Sequence, residues 1–130
     1  MNDTDVKQVI ILKKNVGMRR AKAASYIARA SLQFLVENDV SDRKDAVQTS
    51  LSLEESLWLR NGQKRDIYVI DSYDTMSDIV FKAKVLNIDA YAVFDNKDYD
   101  DLDESTPVCI ALGPASSEEL AKFTSKLKRF

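Results

Sequence analysis

Histidine is absent from this 130-residue chain. Its absence removes the commonest general base, the usual nucleophile–histidine–carboxylate triads and most zinc sites in one step. Any chemistry has to use carboxylates, lysines, hydroxyls or the substrate itself. Cysteine occurs once, as Cys109, so no disulfide can form within the chain. It sits in the apolar run Val108 to Leu112, where a small buried strand residue is expected rather than a nucleophile. No apolar run approaches the length that crosses a bilayer, and the polar start Met1 to Asp5 does not read as a signal peptide. The cytoplasm is the expected location, with no membrane partner.

What is present is a soluble, globular composition, with 31% charged and 45% apolar residues. The length predicts one domain over residues 1–130 with a core large enough to stand without disulfides or structural metal. The formal net charge is −2, which argues against bulk nonspecific binding to duplex nucleic acid. Between Lys13 and Arg29 the local sign reverses: Lys13, Lys14, Arg19, Arg20, Lys22 and Arg29 occur there without a single acid. Cations at the start of a helix face the wrong end of its dipole, and what usually compensates is an anion held by free backbone N–H groups. At helical spacing Arg19, Lys22, Tyr26 and Arg29 share one stripe, a basic face with an aromatic in it. The bland alternative is a solvated cationic face with no ligand.

Strand and helix signals alternate along the chain. Val9 to Lys13 has strand length, and helical spacing follows to about Asn38. The polar stretch Asp39 to Ser50 reads as a loop, and Ser52 with Glu55 forms a capping box for a short helix carrying Leu57 and Trp58. Asn61-Gly62 ends that helix, and Asp66 to Ile70 is a strand apolar on both faces. Met76, Ile79, Val80, Ala83 and Leu86 make the core stripe of a third helix, and Ala90 to Phe94 is the next strand. After the acidic stretch Asp95 to Glu104, a strand from Val108 to Leu112 stops at Gly113-Pro114. Ser116 with Glu119 then forms a second capping box over a final helix that turns Leu120, Phe123 and Leu127 inward. The expected fold is α/β in three layers, a four-stranded mixed sheet covered by helices on both faces, because the last two strands have no helix between them. The acidic stretch lacks the turn glycine and terminal glutamate of a calcium loop, so no metal and no cofactor is expected.

The segment Asn15-Val16-Gly17-Met18-Arg19-Arg20-Ala21-Lys22-Ala23-Ala24-Ser25-Tyr26-Ile27-Ala28-Arg29-Ala30 resembles the signature of the archaeal and eukaryotic (type 2) peptidyl-tRNA hydrolases. The likeness continues through Trp58, Gly62-Gln63-Lys64, Asp95 and Ala111-Leu112-Gly113-Pro114, over nearly the whole chain. It implies metal-independent hydrolysis of the ester joining a peptide to the 3′ ribose of tRNA. Met18 and Lys22 match the signature, Arg20 keeps the charge of its first lysine, and Asp95 matches the aspartate of its Asp-Ala-Gly-Arg/His-Thr segment. The catalytic candidates that the resemblance implies, for an active enzyme, are Lys22, Lys64 and Asp95. The candidates for phosphate are Lys14, Met18, Arg19, Arg20, Lys22, Tyr26 and Arg29, with Tyr26 stacking a base.

The departures point the other way. Both turn glycines are replaced, by Arg19 and Ala21; the helix histidine is Arg29 and the glutamine before it is Tyr26. The Asp-Ala-Gly-Arg-Thr segment reads Asp95-Asn96-Lys97-Asp98-Tyr99, and the threonine before the last strand aligns with Val108, with Thr106 two residues away. An arginine cannot take a proton at neutral pH but holds phosphate well. The expectation is therefore a divergent, pseudoenzyme-like member that binds a nucleotide, a signalling nucleotide or an RNA end, its hydrolase activity lost or altered. The alternative is an active peptidyl-tRNA hydrolase. A second alternative is a protein-interaction module, as a homodimer through a sheet edge or helix.

Overall fold

The apolar run near the start becomes strand β1 (Val6–Lys13), buried along nearly its whole length because it lies between two other strands. The computed structural model describes residues 5–14, 18–94 and 107–130. Strand β2 (Arg65–Ile70) runs parallel to β1, with Gln8 opposite Arg65 and Lys13 opposite Ile70. On the other side β4 (Cys109–Ser116) is antiparallel to β1, and β3 (Ala90–Val93) is antiparallel to β4. A fifth strand, β5 (Lys128–Arg129), pairs antiparallel with β2 and completes the order β3-β4-β1-β2-β5.

The period-2 alternation of β1 divides the core between two faces. Val9 and Ile11 meet Met76, Ile79 and Ala83 of helix α3 (Tyr73–Val85) and Leu120 and Phe123 of α4 (Ser117–Thr124). Ile10 and Leu12 meet Ala23, Tyr26 and Ala30 of α1 (Arg20–Glu37) on the opposite face. Nearer the start of β1, Val6 packs with Phe34 of α1, Trp58 of α2 (Leu53–Arg60) and Tyr91 of β3. The Phe34 and Trp58 rings stand edge-to-face, centroids 5.9 Å apart; such a pair adds about 1 kcal/mol beyond its buried area. The alanines at 23 and 30 let α1 settle close on the sheet, both almost fully buried.

The α/β class, the mixed sheet and the helices on both faces are as expected; among the described residues the strand count is five rather than four. The extra strand arises because α4 ends at Thr124, short of Leu127. A turn, Leu127 N–H to Thr124 O at 3.1 Å, drops Leu127 against the core and sends Lys128 and Arg129 along the edge of β2. Two charged residues carry no strand pattern, so this element left no mark in the sequence. Nor does the strand near the end stop at Gly113-Pro114. β4 continues to Ser116, and the register against β1 shifts between Lys7 and Val9, so that Gly113 and Pro114 make a bulge opposite Gln8. Gly113 has φ +89, and a Cβ there would lie 2.6 Å from Ala115 N and 3.2 Å from Lys7 O, so the bulge requires glycine.

Ser52 makes the expected capping box, whereas Ser116 makes one half of its own. Ser52 Oγ accepts from Glu55 N–H at 3.1 Å while Glu55 Oε1 accepts from Ser52 N–H at 2.8 Å. Ser116 Oγ accepts from Glu119 N–H. The connection from Asp39 to Leu51 is irregular, tied by Asp39 Oδ1, which accepts from both Ser41 N–H and Gln48 N–H at 2.9 Å. Those two bonds hold the Asp39 carboxyl below its usual range.

Candidate nucleic-acid interface

Helix α1 begins beside the C-terminal end of β1, where the sequence concentrates its cations. Arg19 is the N-cap, in extended conformation, and its side chain makes no capping hydrogen bond. The first turn contains no acid, so the positive end of the dipole and the side-chain charges of Arg19, Arg20 and Lys22 add together. Arg19, Arg20 and Arg29 are exposed, and among the described residues none of them has a carboxylate partner. An anion arriving there meets no competing counter-ion from α1 itself.

The stripe of Arg19, Lys22, Tyr26 and Arg29 is not the exposed basic face that its spacing predicts, because its aromatic is buried. Tyr26 is only 2% exposed and packs in the core with Ile10, Leu12 and Cys109, so it offers no ring to a base. Its position four residues after Lys22 brings the Lys22 Nζ to 6.0 Å from the ring centroid. The apolar side of α1 is thus centred close to the stripe itself, and the charges divide to its two flanks. Lys22 and Arg29 lie on one flank. Arg20, roughly half a turn round the helix from Arg29, faces the other and lines a groove of about 1050 Å³ with Lys14. Met18 is half-buried against the same core cluster as Tyr26, where it supports the start of α1. The groove was missed in the sequence, although its signal is there: Arg20, Ala24, Ile27, Ala28 and Ser31 fall at helical spacing on one side of α1.

Lys64 does not join the other catalytic candidates. Because β2 is parallel to β1, the residues before Arg65 lie beside Gln8, at the opposite end of the strand from Lys13. Five residues of strand put roughly 17 Å between those ends. The backbone of Lys64 has a structural task, its carbonyl accepting from Trp58 Nε1–H at 2.8 Å and from Gln8 N–H at 3.0 Å. Arg65, one residue on, lies with its guanidinium carbon 5.0 Å from the centroid of the Trp58 ring and donates from Nε to Ser31 Oγ at 2.7 Å. Of the expected trio Lys22, Lys64 and Asp95, strand direction sets the first two at opposite ends of β1, and Asp95 lies outside the described residues, as does the rest of the acidic stretch with Thr106.

Other candidates for chemistry fall away on burial. Cys109 is fully buried, and desolvation pushes its thiol up to about 12, which removes it as a nucleophile. Tyr91 is also held above its usual value, chiefly by burial, with Asn38 Nδ2 donating to its hydroxyl at 3.2 Å. No group of three or more carboxylate or cysteine side chains with metal-binding geometry occurs among the described residues. None of their helices is long and apolar enough to cross a membrane.

The family model of Peptidyl-tRNA hydrolase PTH2 matches residues 6–130. The chain belongs to that family. A peptidyl-tRNA hydrolase of Aeropyrum pernix is 29% identical over 130 residues, covering all of both chains. The peptidyl-tRNA hydrolase of Saccharolobus solfataricus is 26% identical over 125 residues, 95% of this chain and 98% of its own. Among solved structures, a protein of unknown function from Agrobacterium tumefaciens superposes with a TM-score of 0.57 at 15% identity, over 97% of this chain and 98% of that one. That likeness concerns the fold alone.

Membership gives the departures in the signature a structural setting. Val108, which the resemblance sets opposite a threonine, is fully buried and fixed in the sheet: its N–H donates to Val93 O at 2.9 Å and its carbonyl accepts from Lys13 N–H at 2.8 Å. Arg29, which the resemblance sets opposite a histidine, is an exposed cation nine residues along α1 from Arg20.

Proposed function

We propose that this chain is a divergent peptidyl-tRNA hydrolase-family protein that binds the phosphate-bearing end of an RNA, the tRNA acceptor end first among such ligands, and hydrolyses the peptide ester slowly or not at all. The observation that carries the reading is the acid-free start of α1, where Arg19, Arg20 and Lys22 stand at the positive end of the helix dipole in a family that takes its name from peptidyl-tRNA. Cations in that position serve phosphate through charge-assisted hydrogen bonds, and arginine adds a planar fork of donors.

The case for slow chemistry rests on what hydrolysis needs. Water must lose a proton as it attacks the ester carbonyl, the oxyanion must be stabilised, and the ribose oxygen must leave with a proton; the proton transfers and the oxyanion are each worth about 100-fold or more. Arg29 stands where the signature has histidine, no histidine exists elsewhere in the chain, and the buried thiol of Cys109 does not ionise near neutral pH. Asp95 is the remaining candidate for the base.

A second reading, a working peptidyl-tRNA hydrolase, is favoured by the near-complete coverage of relatives that carry that activity in their names. One pair of measurements separates the two. Retention of tRNA and of a mononucleotide on the protein is measured beside release of labelled peptide from peptidyl-tRNA. Binding of tRNA with negligible release supports the binder. Multiple turnover that Asp95→Asn abolishes would establish the enzyme, and failure to bind either probe defeats both.

A further inference from the structure

We infer that the groove between α1 and the β2–β5 edge is a docking site for an acidic amphipathic helix from another protein chain. The site goes beyond the RNA reading and does not depend on it. The floor is apolar: α1 contributes Ala24, Ile27 and Ala28, and β2 contributes Ile67 and Val69. It is left open because α1 stands over the other side of the sheet, where Tyr26 and Ala30 pack with Leu12, Val93 and Cys109. The apolar wall continues along α1 in steps of four to Leu32 and Val36, which are 54% and 60% exposed. Aliphatic surface of that extent, in a channel of about 1050 Å³, is a place where a partner gains from burial.

The rim states the sign of the partner. Lys14 and Arg20 stand at one end, Lys128 and Arg129 along β5, and Arg65 at the other end; no aspartate or glutamate side chain among the described residues lines the groove. Arg129 is shared with Asp66 at 3.3 Å and Arg65 is held by Ser31, whereas Lys14, Arg20 and Lys128 have no carboxylate partner among the described residues. Five cations around an apolar floor, in a chain whose net charge is −2, complement a segment with acids on its margins and aliphatic side chains along its centre.

The dimensions suit a helix. From Arg20 to Ser31 the wall of α1 spans roughly 16 Å, the length of three helical turns. Apolar residues at i, i+3, i+4 and i+7 of such a segment fill the floor and leave its acids beside the two rims. A nucleic acid strand fits less well. Binding of single strands relies on successive aromatic platforms, and the single ring that lines the groove among the described residues, Phe130, already has the Lys14 Nζ 5.8 Å from its centroid. A bilayer fits less well again, because the apolar floor is recessed between α1 and β5 rather than projecting from the surface.

The test uses the full chain and a fluorescein-labelled helical peptide of about 14 residues, leucines at i, i+3, i+4, i+7 and i+11 and glutamates on the flanks. A scrambled peptide of the same composition and an oligouridylate are the comparison probes. The expected result is binding at least about 10-fold tighter than the scrambled peptide, weakened by salt, with amide shifts centred on Ile27, Ala28, Ile67 and Val69. Ala28→Glu and Lys128→Glu should each weaken it by about 10-fold. If Ala28→Glu lowers the melting temperature, Lys128→Glu, on an exposed edge, carries the comparison alone. Equal affinity for the scrambled peptide, shifts centred away from the groove, or stronger shifts of the same amides by oligouridylate would each overturn the inference. None of these readouts involves tRNA or peptide release, so the two readings fail separately.

Discussion

Arg65 Nε–H donates a 2.7 Å hydrogen bond to Ser31 Oγ, tying the first residue of β2 to the middle of α1. The same hydroxyl donates to Gln8 Oε1 at 2.6 Å, and Gln8 Nε2 donates to Ser31 O at 3.0 Å. Gln8 and Ser31 are 0% and 3% exposed, so three elements share one buried polar junction at the end of the groove. Removing a partner there leaves the others unsatisfied. Ser31→Ala should cost about 2 kcal/mol in chemical denaturation. Because the three groups act together, Gln8→Leu added to Ser31→Ala should cost less than the sum of the single changes by about 1 kcal/mol. Strict additivity would mean that the junction is not a unit.

Asp66 links the sheet to both chain-terminal strands. Lys7 Nζ donates to its Oδ2 at 2.7 Å, and Arg129 Nη1 stands 3.3 Å from its Oδ1. The bond from Lys7 holds the carboxyl below its usual range, against an opposing push from burial, with smaller help from Arg129. A depressed carboxylate contributes stability that is present above its unfolded value, about 3.9, and is lost as pH falls through the lower folded value. Asp66 is partly solvated, its side chain 25% exposed, so the contribution is modest. Asp66→Asn should lower stability by about 1 kcal/mol at pH 7, and the gap between the two proteins should close as the pH falls through the lowered range of the folded carboxyl. A gap that persists at low pH would assign the loss to packing rather than charge.

Much of this architecture is legible in the residues themselves. β1 betrays its central place by a continuous apolar run, and the capping box at Ser52 and Glu55 marks the start of α2 within one residue. Helical spacing also finds the core stripe of α3, although Leu86 at its end is 37% exposed. What periodicity cannot supply is strand direction and the angle at which a helix sits. The parallel pairing of β1 and β2 carries Lys64 away from Lys22. The rotation of α1 about its axis turns Tyr26 inward and splits the cations between its flanks. Arg20 and Lys128, more than 100 residues apart, share a groove only because the chain returns along β2, which no local pattern announces.

Cys109 should be silent to thiol reagents until the protein opens. It lies in β4 opposite Leu12 of β1 and Val93 of β3, fully buried, with its thiol pushed up to about 12. At pH 8 such a thiol is ionised in about one molecule in ten thousand, before access is considered. The native chain should show no reaction with an aromatic disulfide reagent on a timescale over which the denatured chain reacts completely. Because Cys109 is fully buried and paired on both sides, by Leu12 and by Val93, its residual rate should track global unfolding across a denaturant series rather than local fraying. A denaturant-independent rate would show that the β3–β4 side opens on its own.

Charge at the start of α1 is best tested through salt. If Arg19 and Lys22 meet phosphates, each replacement by alanine should weaken tRNA retention and flatten the slope of log affinity against log salt by about 1. Lys64→Ala is the control, since strand direction puts it roughly 17 Å from that end of the sheet; its slope should match the unmodified protein. Lys22 carries an added constraint, with its Nζ 6.0 Å from the Tyr26 ring centroid. Lys22→Arg, which keeps the charge and widens its reach, should therefore hold the slope while Lys22→Ala loses it. Equal slopes for Arg19→Ala, Lys22→Ala and Lys64→Ala would remove the α1 start from the interface, leaving any tRNA affinity to be carried by other cations of the chain.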